Sequence, residues 1–204
     1  MEKKMINGLP VFEAVLDEYN LGIFTVSLVD APATEVKWVA FSKDNAASKP
    51  LKFSVVDEEQ HKVLSVIMRA DFPIYRVDEL GNGFYITFSK ETLYEASKRL
   101  LMNGFQNYVN LEHIASSAVM GGFQLAQIYL KDVARGINPV GFEDIEDGSL
   151  FGEYFVADET LWEEIKAGKF TGISLEGEFG LAEPKDEDVN IENLDDLVKY
   201  LGIE

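Results

Sequence analysis

The chain contains no cysteine and only two histidines among its 204 residues. Without cysteine it can form no disulfide framework, no thiolate metal site and no cysteine nucleophile. No apolar run approaches the roughly 18 residues of a membrane-spanning helix, and the first stretch, MEKKMINGLP, lacks the apolar segment of a secretory signal. Two distant histidines and scattered carboxylates give no metal-ligand spacing. The sequence predicts a soluble, intracellular protein that uses neither a metal nor another cofactor and does not bind a membrane.

Basic residues are scarce, since 18 Lys and Arg face 36 Asp and Glu and leave a net charge of −18. The imbalance is local: residues 143–204 hold 19 of the acidic side chains and only 4 of the basic ones. A surface of this sign repels phosphate, which argues against sequence-independent binding to nucleic acid. The acidic C-terminal part either steers a basic substrate or is simply solvated.

The length suits one domain with a sizeable core. Segments rich in β-branched and aromatic residues predict strands, over Gly22–Asp30, Glu35–Ser42, Lys62–Asp71, Gly83–Ser89, Gln106–His113, Gly122–Asp132, Leu150–Ala157 and Phe170–Gly180. Two helices are indicated, one after the N-cap Ser89 and one after the N-cap Asp158, each followed by a glycine stop. We therefore expect an α+β fold dominated by a mostly antiparallel, barrel-like β-sheet with flanking helices.

The domain is expected to span residues 1–180, and residues 181–204 form an acidic linker and a short amphipathic helix. The linker, Glu183–Asp188, has nothing to bury. In the helix the apolar residues recur at helical spacing, namely Leu194, Leu197, Val198 and Leu201. This helix either packs on its own domain or docks on a partner.

The two histidines make the search for a general base short. His61 lies in the polar stretch VDEEQHKV, which predicts a hairpin turn and a solvated side chain. His113 ends a predicted strand and precedes IASSAV, whose small residues leave room for a ligand, so it is the better candidate for catalysis. Ser174 lies on a strand between Gly172 and Gly177, where small neighbours allow a substrate backbone to approach. Taken singly, each of these residues also fits an ordinary structural position.

Three short motifs follow one another along the chain: N-L-E-H (Asn110–His113), Val119-Met120-Gly121 and G-I-S-L-E-G (Gly172–Gly177). In this combination the chain resembles the capsid maturation proteases of tailed phages, particularly the XkdF-like serine proteases, and more distantly the herpesvirus assemblins. The resemblance is closest in DETLWEEIKAGKFTGISLEGEF, runs from about Gly83 to Phe179, and has a weaker echo in FTVSLVDAPA near the start.

The resemblance implies a herpesvirus-protease-like fold and a serine endopeptidase in which Ser174 is the nucleophile and His113 the general base. Capsid and scaffold proteins would be its substrates, cleaved inside the procapsid in the host cytoplasm. No cofactor is implied, and a homo-oligomer is compatible with this interpretation.

The sequence does not identify the third catalytic group, which would orient His113. Herpesvirus enzymes use a second histidine after the serine, but no histidine follows His113 in this chain. Glu176 and Glu178 share a strand face with Ser174, because side chains alternate along a strand. We select Glu178 as the orienting carboxylate, with Glu176, Glu112 and a carboxylate of the tail as alternatives.

The chain also departs from the family after Gly180, where assemblins carry a further strand and arginines that support the oxyanion site. This departure fits a compact variant, a processed product or a chain that has lost its activity. The alternative function is therefore a non-catalytic capsid-assembly or scaffold-associated protein that retains the protease fold.

Overall fold

The computed structural model describes residues 4–30, 54–78, 80–119 and 121–183, with residues 54–56 through their backbone alone. Two sequence predictions lie outside these residues, namely the strand over Glu35–Ser42 and the amphipathic helix that carries Leu194 and Leu201. Met120, in the middle of the second motif, lies outside them too.

Strands dominate the described ranges, and two α-helices accompany them. The strands are β1 (Met5–Ile6), β2 (Leu9–Val15), β3 (Gly22–Val29), β4 (Ser54–Asp57), β5 (Lys62–Met68), β6 (Ile74–Val77), β7 (Gly83–Thr87), β8 (Val109–Leu111), β9 (Phe123–Leu130), β10 (Leu150–Val156), β11 (Gly172–Glu178) and β12 (Gly180–Ala182). The helices are α1 (Lys90–Met102) and α2 (Glu159–Lys166). Neither helix is long and apolar enough to cross a membrane.

The strands form three sheets. One has the order β1-β2-β7-β6 with β12 also paired to β2, the second is β4-β5-β10-β9, and the third is β11-β3-β8. Most pairings are antiparallel, but β2 with β7 and β3 with β8 are parallel. The fold is thus mixed α+β and mostly sheet, as predicted, but the described strands do not close into a barrel.

Both helices begin where the sequence places them. The Ser89 side chain accepts a hydrogen bond from the Thr92 N–H, and the Asp158 carboxylate accepts one from the Leu161 N–H. Each bond satisfies one of the N–H groups that the first helical turn leaves free. After α1 the chain reverses at Gly104, which has φ +75° and is therefore the glycine stop that the sequence indicates.

The structure also contains elements that the sequence pattern did not reveal. Five strands have no counterpart among the predicted segments, namely β1, β2, β4, β6 and β12. β1 has two residues and β6 has four, too few to display an alternation. β8 is shorter than expected, because residues 105–107 form a 3-10 turn and the chain leaves the sheet after Leu111.

One apolar core joins all three sheets and both helices. Its fully buried side chains include Leu28 of β3, Leu93 of α1, Tyr154 of β10 and Trp162 of α2. Ile173 of β11 belongs to the same cluster. The sheet β11-β3-β8 therefore has one apolar face in the core, which leaves its opposite face for polar side chains.

A smaller apolar cluster lies under the loop between β9 and β10, and a buried lysine holds this loop. Lys131 is 2% exposed, and its ammonium donates to the carbonyl oxygens of Phe142 (3.0 Å), Glu143 (2.8 Å) and Ile145 (2.6 Å). Three carbonyls thus satisfy the three protons of the ammonium group. The arrangement fixes the loop from inside.

Replacing Lys131 with methionine should lower the free energy of unfolding by about 3 kcal/mol, because three carbonyls lose a charged donor while the side-chain volume is kept. Urea denaturation measures this. Lys98→Met is the matched control, since Lys98 lies on the exposed side of α1 and, among the residues that the structure describes, forms an ion pair with Glu95 alone; it should leave stability nearly unchanged. Equal effects of the two substitutions would contradict the role assigned to Lys131.

Candidate functional site

A row of polar side chains crosses the sheet β11-β3-β8. In the strand registers Ser174 of β11 lies opposite Ser27 of β3, and Ser27 lies opposite Asn110 of β8. Directly opposed residues point to the same face of a sheet. Their neighbours Leu28 and Ile173 point into the core, so the row lies on the face turned away from it.

His113 reaches this row through a tight turn. After β8 ends, Glu112 and His113 both adopt left-handed backbone conformations, with φ +52° and +59°. Such conformations are uncommon for residues other than glycine. The Ser117 hydroxyl supports the turn, because it accepts from the Leu111 N–H at 2.9 Å and lies within donor distance of the Ile114 carbonyl at 2.6 Å. The turn brings the imidazole back over the polar face.

The imidazole of His113 contacts the row through one of its two nitrogens. Its Nδ1 lies 3.1 Å from Glu176 Oε1 and 3.0 Å from Ser27 Oγ. An ionised carboxylate can only accept, so Nδ1 carries a proton and donates it to Glu176. In a neutral imidazole this leaves Nε2 unprotonated and able to act as a base. The side chain of His113 is 44% exposed, so substrate can approach it.

Glu176 is the point at which the network converges. Its Oε1 accepts from Asn110 Nδ2 at 2.8 Å, in addition to the contact with His113. Ser27 Oγ lies 2.7 Å from this same oxygen and 2.7 Å from Asn110 Oδ1. Because a hydroxyl has one proton, Ser27 donates to one of these two acceptors at a time.

These contacts set the ionisation of Glu176. Partial burial alone would raise its pKa, but hydrogen bonds from Ser27, Asn110 and His113, together with the charge of His113, outweigh burial and hold the pKa below its ordinary value. Hydrogen bonds to the charged form of a carboxyl group favour that form. Glu176 is therefore ionised at neutral pH and is the carboxylate that orients the imidazole.

The structure places the residues predicted from the sequence in different positions relative to His113. Ser174 is 6% exposed and lies on the same face, but within the described residues no hydrogen bond joins its hydroxyl to His113. Glu178 is exposed at the end of β11 and makes no ion pair with His113 in this part of the chain. The orienting carboxylate that contacts His113 is Glu176, which the sequence offered only as an alternative.

The two remaining predicted candidates lie elsewhere. The carboxylate of Glu112 accepts from the Asp30 N–H at 2.8 Å, so it holds the end of β3. His61 lies in the hairpin turn between β4 and β5, as predicted, but its ring is not freely solvated. It stacks on Trp162 with ring centroids 4.6 Å apart, and its side chain is 28% exposed.

One of the two glycines of β11, Gly177, is explained by close packing against the neighbouring strand. A Cβ atom at Gly177 would lie 2.9 Å from the carbonyl oxygen of Gly22 on the neighbouring strand. The strand register also shifts between Glu176 and Gly177, where β3 holds one more residue than β11. Such an irregularity bends the strand and interrupts the regular register, and Glu176 lies at the last position before it.

Ser27 and Asn110 are the participants that the search for catalytic residues missed. Each is an uncharged residue within a strand, and neither is a candidate acid or base. Asn110 stands in the N-L-E-H motif, and Ser27 stands in the segment FTVSLVDAPA. Both segments were singled out in the sequence, but neither residue was given a role.

In the described ranges no group of three or more histidine, aspartate or glutamate side chains could hold a metal ion. Comparisons with known protein families, with curated proteins and with solved structures find no match to this chain.

Glu176→Gln should make the stability of the protein less dependent on acid. The pKa of Glu176 is lower in the folded protein than in the unfolded chain, where it is near 4.5. The ionised carboxylate therefore stabilises the fold at pH values above 4.5, and this stabilisation is lost as the pH falls through the pKa of the folded state. The stability difference between wild type and variant should thus be largest at neutral pH and shrink below about pH 4.5. Urea titrations at several pH values measure it.

Glu178→Gln is the matched control, because it removes a carboxylate from the same strand face that lacks these three donors. Its stability difference from wild type should not follow that pH dependence. If the Glu176→Gln difference were as large at pH 3 as at pH 7, the ionised hydrogen-bonded state of Glu176 would be wrong.

Proposed function

We propose that this chain is a serine endopeptidase of the phage prohead protease type, in which Ser174 is the nucleophile, His113 the general base and Glu176 the orienting carboxylate. The observation that carries the proposal is the contact of 3.1 Å between Glu176 Oε1 and His113 Nδ1, on the face that also bears Ser174. An acid, an imidazole and a hydroxyl in this order are the parts of a serine hydrolase triad.

The position of Ser174 supports its role. Ser27 touches the imidazole, and directly opposed residues of an antiparallel pair have Cβ atoms about 5 Å apart. Ser174 is therefore one strand away from a group that already contacts His113. Hydrogen bonds between nucleophile and base are often long in the absence of substrate and shorten when it binds.

The reaction follows from these positions. Ser174 Oγ attacks the scissile carbonyl carbon while His113 Nε2 takes the hydroxyl proton, and the resulting imidazolium stays paired with Glu176. The C–N bond then breaks, and His113 gives its proton to the leaving amine. Water attacks the acyl ester, again losing a proton to His113, and Ser174 is regenerated.

The substrate class comes from the sequence resemblance. We propose segments of capsid and scaffold proteins as substrates, cleaved in the procapsid within the host cytoplasm, and a fold related to the herpesvirus proteases. The net charge of −18 supports a role that does not require holding DNA.

A second candidate is a non-catalytic capsid-assembly protein that retains this fold. The observation in its favour is the Ser174 hydroxyl, which is 6% exposed and makes no hydrogen bond to His113 in the described part of the chain. The two candidates differ in whether the Ser174 hydroxyl reacts.

Ser174→Ala should abolish processing of the capsid precursor, lowering the rate at least about 10³-fold, because the nucleophile is removed. The assay incubates precursor with wild type or variant and follows the fragments by mass spectrometry. Ser65→Ala is the matched control: Ser65 is a strand serine that is 1% exposed, and within the described ranges its hydroxyl donates to the Val66 carbonyl alone. Processing by Ser174→Ala at the wild-type rate would exclude the serine mechanism, and no processing by wild type would favour the assembly protein.

Glu176→Gln should lower the turnover number by roughly two to four orders of magnitude, because the amide no longer stabilises the imidazolium. Glu178→Gln, on the same strand, should retain activity within about twofold. The same processing assay, run over a range of precursor concentrations, measures both. A larger loss of turnover in Glu178→Gln than in Glu176→Gln would instead identify Glu178 as the orienting carboxylate.

A further inference from the structure

Two serine hydroxyls lie side by side on neighbouring strands, and their surroundings differ. Ser27 is 0% exposed and contacts three polar side chains, namely Asn110, His113 and Glu176. Ser174 makes none of these contacts. Ser27, the serine that contacts the imidazole, is thus the one that substrate cannot reach. Its hydroxyl oxygen is surrounded by side chains of the protein.

We infer that Ser27 is a positioning residue, whose buried hydroxyl, together with Asn110, fixes the Glu176 carboxylate and through it holds His113 in the tautomer with the proton on Nδ1. The inference rests on the proposed function, since the tautomer matters for catalysis only if His113 Nε2 acts as a base. It adds to that function a residue that touches neither substrate nor the reacting atoms.

The geometry gives each member one task. Asn110 Nδ2 donates to Glu176 Oε1 at 2.8 Å and Ser27 Oγ lies 2.7 Å from the same atom. When the Ser27 hydroxyl proton points to Glu176, two donors on neighbouring strands therefore fix this oxygen, which also contacts His113. Ser27 Oγ also lies 3.0 Å from His113 Nδ1. The Nδ1–H group therefore donates to Glu176 and to a lone pair of the Ser27 oxygen at the same time.

The strands explain why this position requires a short hydroxyl side chain. Ser27 lies between Ser174 and Asn110 in the central strand of the sheet. A side chain at that point has neighbours on both sides, and at 0% exposure its hydroxyl is shielded from solvent. Burial also removes competing water, which strengthens hydrogen bonds inside the network.

The main test reads the tautomer directly. Nitrogen-15 NMR of histidine-labelled protein distinguishes protonated from unprotonated ring nitrogens, and the chain has only two histidines to assign. At a pH where the imidazole is neutral, wild-type His113 should have its proton on Nδ1, and Ser27→Ala should shift part of the population to Nε2. A wild-type His113 protonated on Nε2 would overturn the inference without any variant.

The second test reads the reactivity of Ser174 with a fluorophosphonate, which bonds to its hydroxyl oxygen as fluoride leaves. Ser27→Ala should lower the labelling rate about 10- to 100-fold, the cost of a misplaced catalytic group, whereas Ser65→Ala should change it less than twofold. Ser27→Thr keeps the hydroxyl and should restore most of the rate. Full labelling of Ser27→Ala, with an unchanged His113 tautomer, would contradict the positioning role.

The two proposals fail separately. If wild type neither cleaves the precursor nor reacts with the fluorophosphonate, the proposed function is wrong, and the tautomer measurement still decides whether Ser27 positions the imidazole. If wild type reacts and Ser27→Ala behaves like Ser65→Ala, the protease assignment stands and the role of Ser27 is wrong.

Discussion

The candidate site depends on the register of β3 between its two neighbours. Because side chains alternate along a strand, a slip of one residue would turn Ser27 into the core and bring Leu28 to the polar face. Leu28 and Val26, which are two residues apart and therefore lie on the same face, are both buried in the core. The apolar face therefore fixes the register, and this same register aligns Ser174, Ser27 and Asn110. The register that packs the apolar face of the sheet against the core therefore also aligns the polar row on the opposite face.

Local chemistry made much of the fold predictable. Ser89 and Asp158 indicated where the two helices begin, because a side-chain oxygen just before an amphipathic segment can accept from the free N–H groups of the first helical turn. The pairing of the strands into three sheets was not predictable in this way. The parallel pairing of β3 with β8 joins segments far apart in the chain, and no local pattern encodes it. The short strands β1 and β6 gave no period to detect.

The site was predictable in type but not in detail. His113 stood out because histidine is rare in this chain, and Ser174 stood out through its motif. Alternation predicts Glu176 and Glu178 on the face of Ser174, but it could not choose between them, since the turn after β8 decides which carboxylate meets the imidazole. That turn depends on two consecutive left-handed residues, Glu112 and His113. Non-glycine residues adopt this conformation uncommonly, so no local pattern indicated two of them in succession.

Ser27 meets its partners across long stretches of chain, Asn110 after 83 residues and Glu176 after 149. A ribosome adding about 5 to 20 residues per second needs roughly 7 to 30 s to travel from the first of these residues to the last. Throughout that interval β11, which carries Ser174 and Glu176, is incomplete, so the imidazole has no Glu176 carboxylate to pair with. Any activity that this arrangement confers begins only after nearly the whole domain has been synthesised, so the topology itself delays the site until the protein can fold around it.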